Sequence, residues 1–379
     1  MPRPAPPDLA FPAAIRVSSS RHAASTSSIP GARQPLTRSP GRPQGVKVPV
    51  RLSSVVPDGP LLRSLPAELP RSIGAGLEVA RDLGRRAPGP GEGATADLWE
   101  TLATLAAADL GAARAIEPHL DAVAILRQAG EPAPEGVWGV FAAEGGDDPL
   151  TATTEGGEVR LRGTKPWCSL ADRLDGALVT AATADGTRGL YAVDVRAAGV
   201  DVIPDAWHAR GLSELPSGPV RFSSVAAAPV GAPDWYLSRP GFEWGGIGVA
   251  ACWFGGAVGI ARTVHAVAAA TPNPFLLMHL GAIDRGVQDA RRALAEAASL
   301  VDAGADGARL LAKRVRATVA EAAEDVLVRA GHALGPAPLA VDAEHAKRVA
   351  DLTLYVRQHH AERDLASLGT AVADGPAPW

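Results

Sequence analysis

From Thr95 onward apolar residues recur at helical spacing. Leu98, Leu102, Leu105, Leu110 and Ile116 predict a helix facing a core, with Asp97 or Thr95 as its cap. Pro118 is expected to end or kink it before a second helix opens at His119. The run Gly130-Glu131-Pro132-Ala133-Pro134-Glu135-Gly136 is rich in turn formers and closes this helical part. From Val137 to about Val230 the period shortens to runs such as Val159 to Arg162, Gly176 to Ala181 and Leu190 to Val195. Gly156-Gly157, Asp185-Gly186 and Ala198-Gly199 separate them, which predicts an antiparallel barrel or sandwich. After Pro240 the helical period returns over 245–270, 275–303, 307–333 and 342–368, enough for a four-helix bundle. The expected fold class is therefore α+β, with a helical domain over 59–136, a β domain over 137–235 and a bundle over 240–370.

Composition narrows the functions open to such a chain. Its 379 residues are 46% hydrophobic and 21% charged, ordinary for a globular protein, and a formal net charge of −4 argues against a nucleic-acid binder. Cys168 and Cys252 cannot make a disulfide framework or a four-cysteine zinc site, so a reducing cytoplasm is the expected setting. The most apolar stretch, from Gly245 to Ala270, is interrupted by glycines, Arg262 and His265, and reads as a buried helix rather than a membrane span. Residues 1–58 contain only Asp8 and Asp58 as acids and few large apolar residues, and are expected to be a disordered leader. An Arg-rich, acid-poor leader is similar to an organellar transit peptide. The general Ala/Arg/Gly/Pro bias instead suits a GC-rich bacterial gene with its start placed too early, and that is the expectation.

The candidate chemistry lies in Gly163-Thr164-Lys165-Pro166-Trp167-Cys168-Ser169. If this stretch is a strand, Trp167 and Ser169 point the same way, setting an indole beside a hydroxyl. A planar heteroaromatic ligand such as a flavin would use both groups, whereas a core Trp beside a solvent-facing Ser would use neither.

The stretch resembles the acyl-CoA dehydrogenase family, in which a Trp-x-Thr/Ser unit follows Gly-x-Lys and packs on the isoalloxazine ring. Val140-Phe141-Ala142-Ala143-Glu144-Gly145-Gly146-Asp147-Asp148 stands where that family has an apolar strand ending in Thr-Glu-Pro-Gly-x-Gly-Ser-Asp, here without the Thr and Pro. Arg210-Gly211-Leu212 and Val220 to Val225 are similar to its following loop and strand. The resemblance implies FAD held by Phe141, Ala142, Ala143, Trp167 and Ser169, with Gly331 contributing from a glycine turn across a subunit interface. It also implies an acyl-CoA substrate, an electron-transfer flavoprotein as acceptor, and a homodimer or homotetramer. Two further family features are missing. The positions of the usual catalytic Glu hold Arg357 and Val249, and the region Thr271 to Phe275 lacks the Arg that meets the FAD pyrophosphate. His359 and His360, placed by periodicity in the last bundle helix, are the substitute bases. Acyl-CoA oxidation is the first expectation; a flavin monooxygenase on the same fold, or a non-catalytic subunit of a paralogous pair, is the alternative. No His and carboxylate spacing suits a di-iron bundle, so no metal is expected.

Overall fold

The computed structural model describes residues 47–53 and 55–377. Most of the expected leader, residues 1–46, lies outside the described residues. Its last part is not the disordered tail that composition suggests. Val50 and Leu52 are buried, and their amides donate to Thr104 Oγ1 (2.8 Å) and Glu100 Oε1 (2.6 Å). Both amides find a partner as they leave water, so the strap is held despite its few large side chains.

Four helices follow: α1 (Pro60–Ser64), α2 (Ile73–Gly84), α3 (Thr95–Ala108) and α4 (Leu110–Ala129). Neither Thr95 nor Asp97 caps α3. The Asp97 carboxylate accepts from the Leu61 and Leu62 amides at the start of α1, and the Thr95 hydroxyl donates to Asp302. The helical run divides at Asp109, whose extended backbone (φ −152°) breaks the ladder while its carboxylate accepts from the Ala112 amide at 2.8 Å. Pro118 sits inside α4 without ending it. The helix forgoes one backbone bond there, and the buried Ile116, Leu120, Val123 and Ile125 hold it in place.

Seven strands form one sheet: β1 (Trp138–Phe141), β2 (Thr151–Glu155), β3 (Glu158–Lys165), β4 (Gly176–Ala182), β5 (Arg188–Asp194), β6 (Val200–Val202) and β7 (Val220–Pro229). The path β4-β2-β3-β7-β5 returns to β4, so the sheet closes on itself; β1 is added along β4 and β6 along β7. Gly156 and Gly157, both left-handed, turn β2 into β3. The sheet is not wholly antiparallel, because β4 runs parallel to both β1 and the start of β2. β1 arrives directly from α4, pinned by His119 Nδ1, which accepts from the Trp138 amide at 3.2 Å, and this entry sets its direction. Burial pushes the His119 imidazole down to about 4, so it stays a neutral acceptor.

After the short α5 (Trp235–Ser238) come α6 (Pro240–Ala270), α7 (Pro274–Asp302), α8 (Ala308–Leu334), α9 (Ala337–Val341), α10 (Ala343–Tyr355) and α11 (Glu362–Ala373). Among the described residues α6 is the one helix long and apolar enough to cross a membrane, but it packs against α3, α7 and α8 and is mostly buried. The single last helix predicted over 342–368 is broken. Val356–Gln358 form a 3-10 turn, His359 is extended, Ala361 is left-handed (φ 45°), and the Asp364 carboxylate accepts from the His360 amide to start α11 afresh. His359 and His360 therefore sit in a gap between helices. The predicted turn at Gly331 is also displaced. Gly331 lies within α8, and the chain turns at Gly335 (φ 67°).

Packing is close where α6 crosses α3. A methyl group on Gly255 would come within 2.2 Å of the Ala103 carbonyl oxygen, a backbone atom that cannot swing away. Gly281 in α7 has open space at the same position. Gly255→Ala should therefore destabilise the chain by about 1–3 kcal/mol through overpacking, while Gly281→Ala should be neutral or stabilising by up to about 1 kcal/mol. Urea unfolding of the two variants checks this, and equal midpoints would contradict it.

Candidate functional site

The end of β3 explains how the site is built. The strand stops at Lys165; Pro166 interrupts its ladder and Trp167 takes a left-handed backbone (φ 59°). Trp167 and Ser169 are thus not alternate residues of a strand, as their spacing predicted. They reach the same cavity by an irregular path, with the Cys168 and Leu170 amides donating to the carbonyls of Gly218 and Pro216. Leu170, Leu212 and Ala361, at φ 56°, 49° and 45°, are also non-glycine residues in the left-handed region, and they sit in or beside the same walls. Each such residue costs on the order of 1–3 kcal/mol, and strain concentrated in this way is usual at a functional site.

The cavity holds about 840 Å³, within the range of small-molecule sites. Trp167, Ser169, Ala142, Ala143 and His360 are among the residues that line it. Trp167 is 60% exposed at the mouth, with Trp207 edge-on to it at 6.1 Å. Phe141 does not line the cavity, because alternation along β1 turns its side chain into the core. His359 does not line it either: it is buried behind the wall near Trp253, and burial lowers its pKa despite the nearby Asp364. Gly331, on α8, is absent from the walls of its own chain's cavity. Arg357, which stands where the family carries a base, is ion-paired to Glu324.

Among the lining residues Glu144 is the only carboxylate. It accepts from the buried Lys165 Nζ (2.9 Å) and from Thr180 Oγ1 (2.9 Å), with Arg188 3.5 Å away. Burial lowers the Lys165 pKa and Glu144 opposes that shift. The pair anchors the loop after β1 so that the small side chains of Ala142 and Ala143 face the cavity. So tethered, Glu144 is poorly placed to take a proton from a ligand.

The opposite wall is cationic and was not legible as a site. Arg114, on α4, donates to Ser169 Oγ at 3.4 Å, lies over the Tyr355 ring, and pairs with Glu117 at 3.7 Å. Arg316, on α8, donates to the carbonyls of Gly246 and Gln358 and stacks 4.7 Å from the Trp253 ring. Tyr355 Oη is buried, belongs to a lining residue and has no hydrogen-bond partner among the described residues, and Arg114 Nη1 has only the long pairing with Glu117. Unpaired polar atoms in a cavity wall are where a ligand or water is expected. Glu117, just behind them, is pushed up to about 7 by burial, with Asp121 adding to the rise and Arg114 opposing it. The sequence signal available was Arg114 and Glu117, three apart in an otherwise apolar stretch of helix.

A second hollow, about 800 Å³, is bordered by exposed Val55, Val56 and Pro57 and by Arg51, Arg63 and Arg291, where Arg51 is ion-paired to Asp58 at 2.5 Å. Among the described residues no three His, Cys, Asp or Glu side chains converge as a metal site would require.

No protein-family model matches the chain, and no curated protein matches it by sequence. Solved structures do match. TdsC from a Paenibacillus species, in complex with FMN and indole, superposes with a TM-score of 0.69 at 18% identity, covering 81% of this chain and 90% of that one. KijD3, in complex with FMN and a dTDP-linked amino-keto sugar, gives 0.66 at 17% identity, covering 79% and 83%. The nitrososynthase of Micromonospora carbonacea var. africana gives 0.63 at 18% identity, covering 79% and 93%. The chain shares the acyl-CoA dehydrogenase-like fold of these proteins, of which TdsC and KijD3 were solved with FMN.

Glu117 also links stability to pH. The native chain holds its proton up to about 7, whereas an unfolded glutamate releases it near 4.5, so the native state binds the extra proton between these values. The stabilisation is complete below pH 4.5 and is lost as pH rises through 7, worth roughly 3 kcal/mol at 1.36 kcal/mol per pH unit. Between pH 5 and pH 8 the unfolding free energy of the wild type should fall more steeply than that of Glu117→Gln. Parallel profiles would mean that Glu117 is ionised throughout.

Proposed function

We propose that the protein is a flavin-dependent monooxygenase that works with FMN delivered by a separate reductase and acts on a small, largely apolar ring compound. The observation that carries this reading is the cavity's composition: aromatic and cationic walls, with its one lining carboxylate tied to Lys165. Acyl-CoA oxidation needs a base for the α-proton, and the two family positions for it hold Arg357, paired to Glu324, and Val249. Oxygen transfer from a reduced flavin has no such requirement.

The residues present fit a flavin. Trp167 offers a ring face at the mouth, Ala142 and Ala143 leave room for close approach, and Ser169, Ser217, Arg114 and Tyr355 supply polar atoms along one wall. FMN suits this chain better than the FAD implied by the family resemblance, since FMN has no pyrophosphate and the region Thr271 to Phe275 offers no arginine to meet one. Bound flavin would supply the two-electron and oxygen chemistry. The chain's own residues would orient it and keep water out, with Phe242, Leu354 and Leu215 covering the apolar side. His360, exposed at the rim, is the candidate for exchanging protons with solvent; the buried His359 is better suited to holding the wall.

Self-association is part of the proposal. Phe275, Met278, Leu339 and Val341 are exposed on α7 and α9, and such side chains on α7, α8 and α9 favour a homodimer or homotetramer. Multi-angle scattering should give at least a dimer mass, and Phe275→Glu with Met278→Glu should reduce it; a monomeric wild type would remove this element.

The central test uses purified protein, FMN, NADH and a flavin reductase, with indole as probe. Oxygenated indole should form only with the reductase present. Trp167→Ala should weaken FMN binding about tenfold, the worth of one aromatic contact of about 1.4 kcal/mol. Anaerobic bleaching of the flavin by an acyl-CoA would reverse the assignment in favour of acyl-CoA oxidation.

A further inference from the structure

A smaller hollow, about 320 Å³, lies where the strap before α1 meets α3, α6 and α10, and it shares no lining residue with the cavity described above. Small residues open it, Ala107 and Ala108 on α3 and Gly259 and Ala266 on α6. Three arginines from separate pieces of chain also line it: Arg71 just before α2, Arg262 on α6 and Arg348 on α10. Arg262 donates to the Val48 and Pro49 carbonyls at 3.2 and 3.0 Å, which fixes the strap as one wall. Arg71 and Arg348 both pair with Glu344, Arg71 at 3.0 Å, so two guanidinium charges share one carboxylate. The neighbouring Asp109 is taken by Lys347 at 3.1 Å, and Asp342 accepts from the Glu344 and His345 amides. Arg71 Nε and Arg348 Nε are buried without a hydrogen-bond partner among the described residues. Burial lowers the Arg348 pKa even against Glu344, as befits a cation short of counter-charge.

We propose that this hollow binds a small organic carboxylate with a compact apolar body. Charge argues for the head group: Arg71 and Arg348 against Glu344 leave one positive charge to balance, which suits a carboxylate better than a dianionic phosphate. Guanidinium forks match carboxylate oxygens in geometry as well as charge. Thr104, whose hydroxyl accepts from the Val50 amide at 2.8 Å, still has its own proton to offer. The apolar wall of Val48, Leu69 and Ala266 argues for the body, since it would strand the outer oxygens of a phosphate without partners. The volume lies at the lower end of small-molecule sites and admits a compound of about one ring. An occupant would tie the strap to α10 and so stabilise the folded chain. None of this depends on the flavin reading.

The test is isothermal titration calorimetry of the full-length protein with sodium benzoate as probe, and with benzamide and inorganic phosphate for comparison. Benzoate should bind. Benzamide, which has nearly the same shape without the charge, and phosphate should each bind at least about tenfold more weakly, the worth of one hydrogen bond to a charged group. Arg71→Gln should weaken benzoate binding about tenfold for the same reason. Ala266→Leu, at an exposed position, keeps all three arginines but fills the hollow, and should weaken benzoate at least as much; it keeps the test sharp if the Arg71 variant folds poorly. Trp167→Ala, which alters the other cavity, should leave benzoate binding unchanged. Absence of benzoate binding, equal binding of benzamide or phosphate, or binding that survives both Arg71→Gln and Ala266→Leu overturns the proposal. So does a loss of benzoate binding in Trp167→Ala alone, which would put the carboxylate in the other cavity.

Discussion

The ion-paired junction of Asp109, Lys347 and Asp351 is the constraint on which the cavity depends. Asp109 ends α3, caps α4 and pairs with Lys347 at 3.1 Å; Lys347 pairs in turn with Asp351 at 2.8 Å, and Asp351 accepts from the Leu212 amide at 2.6 Å. Three pieces of chain distant in sequence are joined in this way. One carries Arg114, one carries Tyr355, and one leads through Leu212 to Ser217. Burial works against the Lys347 charge, and Asp351 with Asp109 more than offsets it, so its pKa is raised. Gly211 permits the junction, because a side chain there would meet the Ala350 carbonyl oxygen at 2.0 Å. Removing one partner from such a group leaves the others desolvated and unpaired, which costs more than the pairing alone is worth.

Behind this junction the bundle keeps a polar interior that hydrophobic packing alone would not choose. Arg114, Glu117, Asp121, Arg239 and Arg316 interrupt surfaces otherwise built of Ala, Leu and Val. Arg239 pairs loosely with Asp121 at 3.9 Å and donates to Gln128 at 2.6 Å, which extends the polar band along α4 toward the base of α6. Some of its atoms remain without partners, among them Arg239 Nε and Trp253 Nε1. A stability-driven core would have replaced them with apolar groups. Their presence beside a cavity is consistent with a wall arranged for ligand and proton chemistry.

Much of the fold was legible because it depends on period. Helical spacing, then short runs between glycine turns, then long helical spacing placed the helices and strands in the observed order. Local chemistry misled where long-range contacts decided the outcome. Asp97 reads as the cap of its own helix, yet it serves α1, and Pro118 reads as a breaker although Asp109 makes the break. Trp167 and Ser169 do line one cavity, but the strand whose alternation suggested it ends before them. Arg114, Arg316 and Tyr355 went unread because nothing local distinguishes an arginine that faces a cavity from one that faces water. They meet only when α4, α8 and α10 are packed together.

The interruption between α10 and α11 bears on how the site could change over time. Arg114, Phe242, Arg316, Leu354, Tyr355 and Arg363 reach the cavity from helices, where a substitution disturbs packing on both sides. The segment from Val356 to Ala361 contributes Arg357, Gln358 and His360 to the wall without belonging to a regular α-helix, and Arg316 steadies it through the Gln358 carbonyl. Its exposed side chains can be exchanged without unwinding either neighbouring helix. A family built on this scaffold could vary its choice of substrate here while the parts that hold the cofactor stay as they are.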